Sequence, residues 1–285
     1  MEQQHDLEFI KVRIAGNDQL LLNCIHSPGF TDEELAFLAE YICRRKRGVG
    51  ARGIIVIESI DNTTQIRCFT KRGDPVTPYG DQLLIAARFL FDSGYFHQDT
   101  VTINTKDTSH TVTALDSHTF LVKLGTPYSL DQDTPVTPYD EKDLLVPANI
   151  EGFPIINYTG IRIGKPVCVI HYENKPKSEL KKLTTALASS QRFPKEALPA
   201  FVTVYSREEL KCSAWNSQNS LDISTTAAAA GISSCVHGFA DPETTIQFND
   251  AKLYFEWKVR SNEVYIAASP EYVFSGRFEI LFPEH

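Results

Sequence analysis

The chain has 285 residues, 42% hydrophobic and 22% charged. That is enough for one large domain or two mid-sized ones with real cores, and it is the composition of an ordinary soluble globular protein. Its net charge is −8, and Arg44, Arg45, Lys46 and Arg47 form the only dense basic run. A nucleic-acid partner is disfavoured, because phosphate binding wants a broad basic surface. No run approaches ~18 apolar residues, so no membrane span is expected. The polar stretch from Met1 to Asp6 has no hydrophobic signal region, so the expected compartment is the cytoplasm.

Two strand-type runs come first, at 7–14 and 19–25. Thr31-Asp32-Glu33-Glu34 is a capping-box signal, a hydroxyl followed three residues later by Glu. Leu35, Leu38, Ala39 and Ile42 then recur as one apolar stripe of a surface helix. Residues 53–59 and 64–70 are β-rich. A proline-punctuated loop at 73–78 leads into 80–94, which is apolar nearly all round and predicts a helix buried on every side. Strands are expected at 100–106, 110–116 and 118–124.

Residues 127–147 are polar, carry Pro127, Pro135 and Pro138, and read as the domain linker. Strands over 153–172, an amphipathic helix over about 178–190, and strands at 200–206 and 210–215 follow. A small-polar loop at 216–224 precedes 225–236, a helix of small residues whose neighbours can pack very close. Four strand-type runs close the chain.

Both halves thus share one order: strands, surface helix, strands, loop, buried helix, strands. This predicts an α+β protein with an internal duplication, each half a curved mixed sheet around its buried helix. The expected domains are 1–127, joined by the last strand at about 274–285, and 128–273. Helix N-termini present free N–H groups and positive dipole ends, so a shared cleft at the two buried helix starts would suit an anionic group. The six cysteines, Cys24, Cys43, Cys68, Cys168, Cys212 and Cys235, form no CxxC and no zinc spacing, and are expected as small buried residues. No glycine-rich dinucleotide loop, nucleophile elbow or metal cluster is evident, so no cofactor is implied.

Several strings, in order and with fitting gaps, resemble the diaminopimelate epimerase family. Phe9-x-Lys11 with Gly16-Asn17-Asp18 is similar to its opening F-x-K…G-N-D. Arg47-Gly48-Val49-Gly50 resembles R-x-G-[IV]-G, and Arg67-Cys68-Phe69 with Gly73 resembles R-x-F-N-x-D-G. Tyr79-Gly80-Asp81 sits where the family has C-G-N-G. Gly164-Lys165-Pro166-Val167-Cys168-Val169 resembles G-N-P-H-C-V, Arg192-Phe193-Pro194 an R-F-P, and Leu253 to Phe278 the closing strands. The resemblance implies the two-domain epimerase-like fold and a ligand cleft between domains. It also implies a mechanism in which one thiolate removes an α-proton and an opposed thiol returns one.

Here the cysteines are gone. The first position is Tyr79. The second falls at Thr225, or at Ile223 or Asp222 if the register shifts. Family positions for the ligand map to Asn17, Thr70, Gly80, Asp81, Lys165, Asn216, Ser217 and Thr226. Most are substituted: Thr70 and Lys165 replace asparagines, Asn216-Ser217 replace Glu-Arg, and Leu198 stands for an asparagine after R-F-P. Asn17 alone is clearly retained.

Tyr79 is open to two readings, a ring filling the vacated site or a hydroxyl lining it. An ordinary phenol pKa near ~10 makes it a poor base, unless Lys165 points at it and stabilises the phenolate. Lys165 could instead be an exposed loop lysine, and Thr225 a helix cap. Asp18, Asp81 and Asp222 are acidic alternatives; Asp81 would suit a cap and would repel a substrate carboxylate. The expected function is an isomerase-type or related activity on a small amino or hydroxy acid, not a cysteine-dependent diaminopimelate epimerase. The alternative is a catalytically inactive binding or regulatory protein that kept the scaffold. The expected partner is a small amino-acid-like ligand, and a homodimer is the expected assembly.

Overall fold

The computed structural model describes residues 4–26, 29–60, 63–96, 98–138, 144–173, 175–190, 193–194, 196–215 and 222–281. It divides into two compact units, one of Met1–Val122 with Ser269–His285, the other of Lys123–Ser217 with Leu221–Ala268. Among the described residues no helix is long and apolar enough to cross a membrane.

In the first unit, strands β1 (Gln4–Ile14) and β2 (Asn17–Cys24) pair antiparallel. Ala15 and Gly16 join them, both at positive φ (47° and 81°), as a two-residue turn between right-twisted strands demands. This turn places Asn17 at the head of β2. Helix α1 (Asp32–Ile42) carries the capping box. Thr31 Oγ1 accepts the Glu34 N–H at 3.2 Å, and Glu34 Oε2 accepts the Thr31 N–H at 2.7 Å. Its stripe of Leu35, Leu38, Ala39 and Ile42 is buried in one cluster with Leu20, Leu22, Ile54 and Val56.

α1 crosses over to β3 (Gly53–Ile60), parallel to β2, and β4 (Thr63–Thr70) returns antiparallel to β3. The segment read as a plain loop at 73–78 contains β5 (Pro75–Val76), a short pairing on β4. Helix α2 (Gly80–Asp92) then leads to β6 (Thr100–Asn104), parallel to β4, followed by β7 (Ser109–Ala114) and β8 (Phe120–Gly125). The last strand of the chain, β18 (Glu271–Leu281), pairs with β1. α2 is buried nearly all round, from Gly80 to Ala87 and again at Phe89 and Leu90. It packs on β1, β3, β6 and β7.

The second unit repeats the plan. β9 (Tyr128–Ser129) and β10 (Leu145–Ala148) both pair with β11 (Ile156–Ile163). The stretch 127–147, expected as a linker, is therefore partly strand. Its prolines sit at an edge, Pro135 bridging to Tyr128 and Pro147 within β10, where a missing N–H costs no inner ladder bond. Residues 139–143 lie outside the described residues.

β12 (Lys165–His171) pairs antiparallel with β11, Gly164 turning the chain at φ 72°. Helix α3 (Lys177–Ser189) crosses to β13 (Leu198–Val204), parallel to β12, and β14 (Glu209–Ala214) is antiparallel to β13. Helix α4 (Ile223–Val236) crosses to β15 (Glu243–Phe248), parallel to β14, and β16 (Ala251–Lys258) and β17 (Glu263–Ala268) close the unit. α4 packs on β11 to β17, and every residue from Ile223 to Cys235 is buried. It starts two residues earlier than the sequence suggests, because Asp222 caps it. A Cβ on Gly231 would meet the Phe255 ring at 2.7 Å, so this glycine sets how closely α4 lies on β16.

The fold is thus α+β: two units with one order of elements, each a mixed sheet around a central buried helix. In each unit one parallel strand pair is bridged by an outer helix and the other by the buried helix.

Candidate functional site

At the start of α2, Tyr79 is the N-cap residue, with extended backbone (φ −150°, ψ −173°), and it is half-buried. Its N–H donates to Gln82 Oε1 at 3.2 Å. Gly80 is the first helical residue and is buried. Asp81 is the second, so it lies inside the first turn and is not the cap. It is fully buried, and its Oδ2 accepts from Asn17 Nδ2 at 2.9 Å. Asn17 and Asp81, both expected as ligand positions, are therefore bonded to each other.

Beside them Asp18 takes Lys11 at 3.1 Å and Arg45 at 2.6 Å. Burial raises the Asp18 pKa, but hydrogen bonds from Arg45 and then Lys11 more than offset it, holding the carboxyl below its usual range. Asp18 is thus engaged in a structural ion pair.

At the start of α4, the carboxylate of Asp222 is the cap. Its Oδ1 accepts the Thr225 N–H at 2.7 Å, and its carbonyl accepts from Thr226 Oγ1 at 2.6 Å. Thr225 is therefore the third helical residue rather than a cap. Its hydroxyl is buried and has no hydrogen-bond partner among the described residues. Ile223, the remaining register for the second cysteine, is buried as the first helical residue. The D-x-x-T spacing at 222–225 is an N-cap signature legible in the sequence, and it identifies Asp222 as the group that meets the helix N–H groups.

Of the other predicted positions, Thr70 ends β4 and builds a turn. Its hydroxyl donates to Asp74 Oδ2 at 3.1 Å and accepts the Arg72 N–H at 3.2 Å. Lys165 opens β12 opposite Ile163 and is half-buried; it is a strand residue, not an exposed loop lysine. Asn216, Ser217 and Arg192 lie outside the described residues.

All six cysteines are buried and none forms a disulfide. Burial pushes the Cys24 thiol to about 11 and those of Cys43 and Cys235 to about 12. Cys168 and Cys212 are raised further by the same cause. Cys235 lies in the last turn of α4, at the end away from Asp222. Among the described residues no group of three or more His, Cys, Asp and Glu side chains could hold a metal ion.

That far end of α4 carries a histidine pair. His171 Nε2 lies 3.0 Å from Ser234 Oγ, His237 Nε2 lies 2.7 Å from Thr159 Oγ1, and the two rings meet edge to face at 5.8 Å. Burial, with a smaller contribution from His237, pushes the His171 pKa down to about 4.

Two units, each a mixed sheet closed around one buried helix, define an epimerase-like protein, and comparison with known proteins gives the same class. No family model matches the chain. Its relatives include the diaminopimelate epimerase of Acetivibrio thermocellus, 25% identical over 281 residues, which span 96% of this chain and 99% of that one. A hydroxyproline epimerase from Agrobacterium vitis, solved with bound trans-4-OH-L-proline, superposes with a TM-score of 0.68 at 10% identity, over 99% of this chain and 95% of that one. A phenazine biosynthesis protein of the PhzF family from Enterococcus faecalis gives a TM-score of 0.65 at 13% identity, over 96% and 99%. Over nearly its whole length the chain is similar in sequence to diaminopimelate epimerases, and it shares the fold of these solved epimerase-like structures.

Proposed function

We propose that this chain carries out an isomerase-type reaction on a small amino or hydroxy acid, by proton transfer that uses no thiol. The chemical positions are Tyr79 at the start of α2 and Thr225, with Asp222, at the start of α4. Asn17, Thr70, Gly80, Asp81, Lys165, Asn216, Ser217 and Thr226 are the candidate ligand positions. One observation carries the reading: both units have a buried helix start, yet all six cysteines are buried elsewhere, and burial raises the thiol pKa of Cys24, Cys43, Cys168, Cys212 and Cys235. A threonine hydroxyl does not ionise near neutral pH, whereas carboxylates are ordinary proton acceptors there. Asp222 is therefore the base candidate at α4, and the Tyr79 phenol the acid candidate at α2.

The test is solvent exchange. Proline, 4-hydroxyproline, alanine and lactate are incubated with the protein in D₂O, and the α-proton signal is followed by NMR. Deuterium should enter at least one of them, prior alkylation of the thiols should not matter, and Tyr79→Phe should lose ~10²-fold or more in rate while melting like the wild type. Absence of exchange in every compound would favour the second reading, a ligand-binding protein without turnover. The Asn17–Asp81 bond supports that second reading, since it spends the retained ligand asparagine's amide on the protein's own carboxylate.

A further inference from the structure

A buried helix start ordinarily invites an anion, because its first N–H groups lack partners and the helix dipole is positive there. The starts of α2 and α4, helices of 13 and 14 residues, are both buried, but each already holds a carboxylate of its own chain. Asp222, 3% exposed, puts Oδ1 2.7 Å from the Thr225 nitrogen. Asp81, with no exposure, sits in the first turn of α2 with Asn17 Nδ2 2.9 Å from its Oδ2. Both units thus put an aspartate at the helix start on unrelated local sequences, inside the first turn of α2 at Asp81 and as the cap of α4 at Asp222. A second carboxylate brought to either start would face a like charge in a water-poor setting, where two such groups do not both stay ionised.

An independent observation concerns α4. Once its N–H has gone to Asp222, Thr225 keeps a hydroxyl that is buried, 1% exposed as a residue, and without a partner among the described residues. A buried hydroxyl left unmade is costly and calls for an explanation. A ligand N–H or O–H would satisfy it, with the Asp222 charge beside it favouring a donor over an acceptor.

We infer that Asp81 and Asp222 are specificity-determining residues: they close both helix starts to anions, and the start of α4 receives a hydrogen-bond-donor end of the ligand, an ammonium or hydroxyl group. This rests on the reading above for the kind of ligand. It adds that the ligand's carboxylate is held by other groups than these helix starts.

The test needs no turnover. Asp222→Ser removes the charge but keeps a good N-cap oxygen, and Asp222→Asn does so at nearly constant shape. On the other helix Asp81→Asn does the same. Full-length wild type and variants are melted in sodium acetate and in sodium chloride of equal ionic strength. Any acetate-specific rise in the wild type reports on the other groups that hold the ligand's carboxylate. Asp222→Ser and Asp222→Asn should show a further saturable, acetate-specific rise in Tm of about 2 °C or more, as an anion occupies the vacated start. A rise no larger in both Asp222 variants than in the wild type would overturn the inference. Because the readout is acetate binding, it stands or falls separately from the exchange assay: a protein without turnover can still refuse acetate, and an active one can still bind it.

Discussion

The two buried helices hold equivalent places in their units but are built from opposite materials. α2 is lined with large side chains, Leu83, Leu84 and Ile85 among them, all with no exposure. α4 is lined by Ala227, Ala228, Ala229, Ala230 and Gly231, and Phe255 presses on the glycine. Their starts differ in the same sense. α2 begins at a bulky, half-buried tyrosine with its aspartate inside the first turn, whereas α4 begins at an aspartate cap followed by a buried, unpartnered threonine hydroxyl. The difference teaches that a duplicated fold fixes where a buried helix must run and which strands it crosses between. It leaves to each unit how the space is filled and which groups stand at the helix start.

The contrast can be broken by mutation, and the two helices should fail in opposite ways. Leu84→Ala in α2 should cost about 2–5 kcal/mol in denaturant melts by leaving a cavity. A loss under about 1 kcal/mol would mean that α2 is not close-packed. The far end of α4 supplies the next effect. His171 is neutral in the folded state, its pKa depressed from 6.5 to about 4. The stability it contributes is present above the unfolded value and is lost as pH falls from about 6.5 towards 4, amounting to about 3 kcal/mol. His171→Gln, which can still bond Ser234, should flatten that part of the pH–stability profile.

Gly231→Ala should cost about 1–3 kcal/mol, because overpacking against Phe255 outweighs the roughly 1 kcal/mol gained in helix propensity. Stabilisation would show that α4 can move off β16. Outside both buried helices, Thr31→Ala should remove about 1 kcal/mol by opening the α1 capping box.

Much of the framework was legible because it depends on pattern. The capping box at Thr31 and the stripe through Ile42 are local signals, and the structure contains both. The all-round apolar character of 80–94 announced a buried helix because no polar face was left for water. The misses have local causes too. The start of α4 lies two residues before the one the sequence suggests, because Asp222, Ile223 and Ser224 have the small-polar character of the loop that precedes them. The pairings of β9 and β10 were hidden by prolines, which are compatible with edge strands. Lys165 falls in the strand run expected over 153–172, and of its two readings the exposed loop lysine is the one the structure removes. At the candidate site, the sequence shows that no cysteine stands at Tyr79 or over 222–225. That Asp81 would bond Asn17 was not legible there, because Asn17 and Asp81 are far apart in the chain and meet through the packing of α2 on the sheet.

The central claim is that the epimerase scaffold persists here while its thiol chemistry does not. Diaminopimelate incubated with the purified protein in D₂O, its α-protons followed by NMR, tests this most directly. The predicted result is no deuterium at Cα beyond the protein-free control. Deuterium entering at Cα with repeated turnover would contradict it, and would show that Tyr79, Asp222 and Thr225 carry the same reaction without a cysteine.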